Sequence, residues 1–112
     1  MSEHFDAISS HYDEEIAEHI RLHLLAKKTQ AMRRVLRARG KEESRGLDCG
    51  CGTGHYLAKL TQIGFEMAGF EYSTGMLGQA RLNNAETGAT LKLGSITEIP
   101  FEDASFDFAY TI

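Results

Sequence analysis

The sequence of 112 residues has no tryptophan, one proline and two cysteines, and it has no long apolar run. A helix needs about 18 consecutive apolar residues to span a bilayer, so we predict no transmembrane segment. The N-terminus lacks the basic and apolar regions of a signal peptide, so we expect a cytoplasmic protein. Cys49 and Cys51 are only one residue apart. They lie too close for a useful structural disulfide and are expected to be reduced thiols.

The charge is low and unevenly distributed. A formal net charge of −4 argues against nucleic-acid binding as the main function. Residues 1–46 carry nine Lys/Arg and eight Asp/Glu, whereas residues 47–112 carry three and eight. All eleven glycines lie at position 40 or later. This shift predicts an N-terminal helical segment over residues 1–43, which would act as a lid or cap, and a second unit over residues 44–112.

Residues 14–39 are rich in good helix formers, and their apolar spacing predicts one amphipathic helix. The opposite face is basic, which is typical of a solvated face, with phosphate contact as the alternative. His19 and His23 have a metal-compatible spacing, but no carboxylate or cysteine pattern completes a site, so no metal is expected. The residues predicted to form the apolar stripe are Ile16, Ile20, Leu25, Met32, Val35 and Leu36.

After a charged turn near position 40, short apolar runs alternate with helical spacing. This alternation predicts a parallel sheet with right-handed crossovers, the front of a doubly wound α/β fold. The predicted elements are strands at 47–49, 65–71, 89–93 and 106–112, and helices at 55–63 and 76–86.

The strongest local signal is the segment Asp48-Cys49-Gly50-Cys51-Gly52-Thr53-Gly54, between a predicted strand and a predicted helix. Glycines at alternate positions let the backbone approach a ligand closely, and the first N–H groups of the helix face that ligand. Glu71 lies 23 residues beyond Asp48, at the predicted tip of the neighbouring strand. A carboxylate there can accept hydrogen bonds from both hydroxyls of a ribose, so the pattern predicts a nucleoside cofactor.

The glycine spacing narrows the choice of cofactor. A nicotinamide fingerprint requires G-x-G-x-x-G, but the sixth position is His55 or Leu57 in the two available registers. No Gly-Lys-Ser/Thr follows the loop, which excludes a phosphate-binding Walker loop. The pattern is instead G-x-G-x-G with an acid two residues before the first glycine. A nicotinamide-dependent dehydrogenase is therefore disfavoured.

The chain resembles the class I S-adenosylmethionine-dependent methyltransferases. Residues 47–54 are similar to the first motif of that family, and residues 68–73 to the second. The similarity extends over nearly the whole chain. The other matching segments are 94–96, 99–103 and 105–107 in the third motif, and 5–8 and 11–13 in the N-terminal helix of the ubiquinone/menaquinone-biosynthesis-like branch.

The resemblance implies a Rossmann-like sheet with strand order 3-2-1-4-5-7-6, of which this chain reaches strand 4. It implies methyl transfer from S-adenosylmethionine to an unidentified acceptor, expected to be a small molecule, with S-adenosylhomocysteine as product. Residues 44–112 would be the cofactor-binding half, and most of the acceptor pocket would belong to later strands, so no catalytic base is assigned. The alternative is a non-catalytic module that binds a nucleoside or associates with itself.

The resemblance also implies roles for individual residues. Ser95 stands where the family usually has Asp, so recognition of adenine would rest more on the backbone N–H of Ile96. Two roles have alternatives, since Glu71 could instead cap the next helix and Tyr12 could simply pack. The implied contacts are Gly50, Cys51, Gly52 and Gly54 under the cofactor, Asp48 on its amino group, Glu71 on its ribose, Tyr72 or Ser73 beside the adenine, Ser95 and Ile96 at the adenine edge, and Tyr12 in a lid.

The last predicted strand has consequences for assembly. We expect Phe106, Phe108 and Tyr110 to alternate onto one of its faces, and its outer edge has no partner strand in this chain. An unpaired apolar edge is a template for pairing with a second copy, so we expect a homodimer through the edge of strand 4, with exchange of the N-terminal helix or aggregation as the alternatives. Asp107, at the start of this strand, is expected to anchor it rather than to act in catalysis.

Overall fold

The computed structural model describes residues 18–41 and 44–112. Within these ranges seven elements follow one another in the predicted order, and no helix there is long and apolar enough to cross a membrane. The elements are α1 (Glu18–Ala38), β1 (Arg45–Cys49), α2 (His55–Gln62), β2 (Glu66–Glu71), α3 (Thr74–Asn83), β3 (Thr90–Leu93) and β4 (Phe108–Tyr110).

The four strands form one parallel sheet in the order β3-β2-β1-β4. The order reverses between β1 and β4, and in open α/β sheets ligands bind beyond the carboxyl ends of the strands at such a point. The predicted Rossmann-like architecture with an N-terminal helix is therefore confirmed for strands 1–4.

The two faces of the sheet are covered differently. Right-handed crossovers put α2 and α3 on one side, which we call the helix face, with Leu57, Leu60 and Met67 in its core. The connection 94–107 runs from β3 to β4 across the other side, the outer face. Buried outer-face residues pack against aromatic rings of this connection. They are Leu47, Ala68 and Phe70, beneath Phe101 and Phe106.

Strand β4 is shorter than predicted, and one expectation about it is wrong. Phe108 and Tyr110 stack with ring centroids 6.5 Å apart and pack on the helix face. Phe106 instead lies on the outer face, because the extended strand begins only at Phe108 and the alternation does not reach back to it. The Asp107 carboxylate accepts the backbone N–H of Arg45 at 2.9 Å. Asp107 thus anchors the amino end of β4, away from the carboxyl ends of the strands.

The buried face of α1 also differs from the predicted stripe. Ile20 and Val35 are 49% and 56% exposed, whereas Thr29 is buried. The Thr29 hydroxyl bonds to the backbone carbonyl of Leu25 at 2.7 Å, so burial leaves no polar group unsatisfied. Ile16 lies outside the described residues. The residues of α1 that pack on α2 therefore form a narrower stripe than the apolar spacing of the sequence predicts.

Helix α3 begins and ends earlier than predicted. Ser73 is its N-cap, and its hydroxyl accepts the backbone N–H of Met76 at 3.2 Å. The side-chain amide of Asn84, just after the helix, donates to the carbonyls of Gly54 and Ala80 at 3.0 and 2.9 Å. These bonds terminate α3 and attach its end to the start of α2.

Candidate functional site

The glycine loop between β1 and α2 has the backbone geometry that only glycine adopts readily. The φ angles of Gly50, Gly52 and Gly54 are +73°, +57° and +80°. A Cβ at Gly50 or Gly52 would meet nothing within 4 Å, so the space above both residues is open to a ligand. Gly54 differs, because a Cβ there would lie 2.6 Å from the Asn84 amide nitrogen and 3.1 Å from the Ala80 Cβ. Gly54 is needed for packing against α3.

The loop forms one wall of a cleft of about 350 Å³. The C-terminal half of α1 packs on α2, as Met32 and Leu36 show by their contacts with the core. Residues from the N-terminal half of α1 line the same cleft as the loop. The residues that line the cleft are Arg21, Leu24, Leu25 and Lys28 of α1, Asp48 and residues 50–54, and also His55, Tyr56, Met76 and Ile112.

Asp48 is the buried carboxylate of this cleft. Its Oδ2 accepts a hydrogen bond from the Tyr110 hydroxyl at 2.8 Å, across the directly paired strands β1 and β4. Burial raises the pKa of Asp48 from 3.8 to about 6; the Tyr110 bond opposes this rise and the nearby Glu71 charge adds to it. The cleft therefore holds an acid whose charge changes close to neutral pH.

Tyr110 is a site residue that the sequence interpretation missed, as it also missed Arg21. Burial and the Asp48 charge raise the pKa of its hydroxyl far above the ordinary value, so the group stays protonated as a donor. The 3-2-1-4 strand order places strand 4 beside strand 1. That adjacency was the available signal that a tyrosine of strand 4 could contact Asp48.

Glu71 connects the ends of two elements. Its Oε1 accepts the backbone N–H of Gly52 at 2.9 Å, and its Oε2 accepts that of Ser73 at 2.9 Å. A carboxylate offers about four acceptor positions, so these two bonds leave capacity for ribose hydroxyls. The structure thus gives Glu71 a local role in holding the loop and the start of α3, and the ribose contact stays a prediction.

The residues predicted to surround the adenine are not gathered in the cleft. Tyr72 is exposed, and Ser73 is buried with its hydroxyl engaged as the α3 cap. Ser95 follows β3, and its hydroxyl lies 2.9 Å from that of Thr97. Ile96 is 67% exposed and lines a separate cavity of about 410 Å³ on the outer face. The adenine contacts therefore remain predictions.

Tyr12, the predicted lid residue, lies outside the described residues.

Burial raises the pKa of the Cys51 thiol to about 12 and, less strongly, that of Cys49. Both thiols are thus protonated at neutral pH and are poor nucleophiles. Within residues 18–41 and 44–112, no group of three or more His, Cys, Asp or Glu side chains could hold a metal ion.

Comparisons with known proteins agree with this geometry. The methyltransferase domain family matches residues 47–112. The malonyl-[acyl-carrier protein] O-methyltransferase of Yersinia pestis is 34% identical over 65 residues, which are 58% of this chain and 24% of that protein.

Solved structures are similar over a larger share of the chain. An S-adenosylmethionine dependent methyltransferase from Mesorhizobium loti is 30% identical with a TM-score of 0.57, over 62% of this chain and 32% of that one. The PH0226 protein of Pyrococcus horikoshii is 25% identical with a TM-score of 0.65, over 83% and 42%. The chain spans 24% and 30% of the length of the two curated relatives it matches.

Proposed function

The chain belongs to the methyltransferase domain family, and on that premise we propose that it binds S-adenosylmethionine for methyl transfer to an acceptor. The observation that carries this proposal is the open glycine loop with Asp48 and Glu71 beside it, at the carboxyl ends of adjacent strands. S-Adenosylhomocysteine is the expected product. The relatives are much longer than this chain, so the proposal concerns its contribution to cofactor binding.

The residues present fit the nucleoside part of this cofactor. The open space above Gly50 and Gly52 admits a ligand close to the backbone. Glu71 is held by two backbone N–H groups, which orient its carboxylate while leaving acceptor positions for the ribose hydroxyls. We assign the adenine to the region of Tyr72, Ser73 and the residues after β3, where Gly94 N–H bonds to the Glu71 carbonyl at 3.0 Å.

The cleft also fits the charged amino-acid part. Asp48 offers a carboxylate to an ammonium group. On the opposite wall, the Nε of Arg21 is buried and has no hydrogen-bond partner among the described residues. An unsatisfied buried donor is costly, and a carboxylate would satisfy it. We therefore assign the ammonium group to Asp48 and the carboxylate to Arg21.

The bound cofactor supplies an already activated methyl group on its sulfonium, so the protein contributes mainly position. The glycine loop brings the backbone close to the ligand, and the N-terminal half of α1 shields the cleft from water. Leu24 and Leu25 add an apolar wall to this cleft. We propose a small-molecule acceptor and a cytoplasmic setting, as the sequence interpretation predicts.

Thermal unfolding with three ligands in parallel tests the proposal. S-Adenosylmethionine and S-adenosylhomocysteine at about 100 times their Kd should each stabilise the protein by about 2.7 kcal/mol, and NAD should not. Stabilisation by NAD alone would refute the proposal. Binding of the first two ligands without methyl transfer to any acceptor would favour the non-catalytic binding module.

Glu71→Ala tests the ribose contact. Loss of charge-assisted hydrogen bonds of roughly 1.5–3 kcal/mol each should weaken S-adenosylhomocysteine binding at least about tenfold in calorimetry. Glu66→Ala is the matched control, because Glu66 lies on the same strand with an exposed side chain 4.0 Å from Arg45. It should keep wild-type affinity. Equal affinities for Glu71→Ala and wild type would leave Glu71 only its capping role.

A further inference from the structure

We propose that Tyr110 is a positioning residue, which acts through Asp48 to hold that carboxylate in the orientation and charge state that the ammonium group of the ligand requires. This inference rests on the proposed function. Tyr110 does not itself contact the ligand in this proposal. Its effect passes entirely through the hydrogen bond to Asp48.

The geometry of the bond is well suited to this role. Asp48 and Tyr110 are direct partners in the β1–β4 register, so the sheet itself fixes their separation. The hydroxyl donates to Oδ2 at 2.8 Å, and Oδ1 receives no hydrogen bond from the described residues. The ring of Tyr110 is fixed by stacking on Phe108. One oxygen of Asp48 is thus tied to β4 while the other is left for a ligand.

The other groups around Asp48 do not supply such a bond. Glu71 of β2 is a like charge and favours the protonated acid, and the nearby Cys49 and Cys51 thiols are neutral. The remaining charged or titratable groups line the same cleft without a hydrogen bond to Asp48. They are Arg21 and Lys28 of α1 and His55 and Tyr56 of α2.

Removing the hydroxyl should therefore change the charge of Asp48. In Tyr110→Phe the bond that favours the ionised acid is lost, while burial and Glu71 continue to favour protonation. The pKa of Asp48 then rises above about 6. A protonated Asp48 gives an ammonium group no charge to bind, so affinity should fall at neutral pH and recover as the pH is raised.

Calorimetry with two ligands tests this between about pH 5 and 8. S-Adenosylhomocysteine carries the ammonium group, and 5′-methylthioadenosine lacks the whole amino-acid part. In wild type, only S-adenosylhomocysteine should lose affinity in acid, with a midpoint near 6. In Tyr110→Phe this midpoint should move to higher pH, and affinity at pH 7 should fall about three- to tenfold. Binding of 5′-methylthioadenosine should be unchanged.

Two further variants separate positioning from a merely structural role. Phe106→Leu loosens the packing of the outer face, on the side of the sheet opposite the Tyr110 ring, so it should lower stability and leave the midpoint unchanged. In Asp48→Asn, the affinity for S-adenosylhomocysteine should no longer fall in acid. Adding Tyr110→Phe to this variant should have no further effect on affinity.

The proposal is overturned if Tyr110→Phe keeps the wild-type midpoint, if both ligands weaken in parallel, or if Phe106→Leu moves the midpoint equally. Circular dichroism must show folded variants at each pH. Failure of the proposed function is distinct from all of these, because wild type would then bind neither ligand.

Discussion

Gly52 adopts a φ of +57°, with open space where a side chain would stand. A side chain there would be strained by the backbone and would project into the space assigned to the ligand. We expect Gly52→Val to lower the free energy of unfolding by about 1–2 kcal/mol and to abolish S-adenosylhomocysteine binding in calorimetry.

Gly78 provides the matched control for this substitution. It lies in α3, is exposed, has no positive φ, and a Cβ there would meet nothing within 4 Å. Gly78→Ala should stabilise the protein by about 0.5–1 kcal/mol and leave binding unchanged. Wild-type affinity in Gly52→Val would show that the loop is an ordinary strand–helix turn.

The ionised Asp48 side chain lowers the free energy of unfolding at neutral pH, and it provides the charge proposed to bind the ligand. Its folded-state pKa of about 6 lies above 3.8, so its contribution to stability is complete below 3.8 and is lost as the pH rises through 6. Keeping this acid ionised at pH 7 costs roughly 1–3 kcal/mol. Asp48→Asn should therefore raise the free energy of unfolding at pH 7 by that amount, and the gain should shrink as the pH falls below 6.

Denaturant unfolding of both proteins at several pH values measures this difference. The variant should also lose affinity for S-adenosylhomocysteine but keep that for 5′-methylthioadenosine. A stability difference that does not change with pH would contradict the raised pKa of Asp48.

The sequence was informative about single residues only where a local pattern defines them. The spacing of Asp48, the glycines and Glu71 follows from one loop and the next strand, so local reasoning finds all of them. The Asp48–Tyr110 pair depends on the register between β1 and β4. The two residues are 62 positions apart in the sequence, so no local periodicity indicates that they pair.

At the scale of elements, the connection 94–107 contains a strained position. Ala104 has a φ of +57°, the only positive value at a non-glycine residue in the described part of the chain. Ala104→Gly should relieve this strain and raise the free energy of unfolding by about 1 kcal/mol. Thermal unfolding measures the change.

Ala26→Gly is the matched control, because the same substitution at this position should change the free energy of unfolding in the opposite direction. Ala26 is exposed within α1, where Ala26→Gly should destabilise the helix by about 1 kcal/mol. If Ala104→Gly destabilised the protein as much as Ala26→Gly, the left-handed conformation at Ala104 would be refuted.

The order of the elements along the chain followed from the sequence because strands and helices differ in apolar period and are separated by glycines. The strand order in the sheet came from the resemblance to the methyltransferase family. The buried face of α1 did not follow. Its apolar residues surround most of the helix, so periodicity could not distinguish the ridge that packs on α2 from exposed Ile20 and Val35. An apolar pattern does not include Thr29, because threonine is polar. Its burial is possible because its hydroxyl is hydrogen-bonded within its own helix.

At the scale of the whole molecule, β4 pairs with β1 on one side and with no other described strand on the other. We propose, as the sequence suggests, that two copies associate through this edge. Light scattering at micromolar concentration should then give the mass of a dimer. Ala109→Lys, at an exposed position of β4, should give a monomer that remains folded by circular dichroism.

A monomeric wild type, or a dimer that persists in Ala109→Lys, would contradict association through this edge. Gly46→Ala is not suitable as a control, because a Cβ there would overlap the Phe108 ring at 2.2 Å. Lys41→Ala, at an exposed position distant from β4 in sequence, should leave the mass unchanged.

The two faces of the sheet are covered unequally, so the backbone amides beneath them should exchange with solvent at different rates. Helices close one face, whereas the connection 94–107 closes the other through two rings, with Arg45 and Lys92 each 4.7 Å from a ring centroid. That connection contains no helix and no strand of the sheet, so it should open in a local fluctuation without global unfolding. In native-state hydrogen exchange, the Asp107 amide, bonded to the Arg45 carbonyl, should then exchange well before the amides of β2.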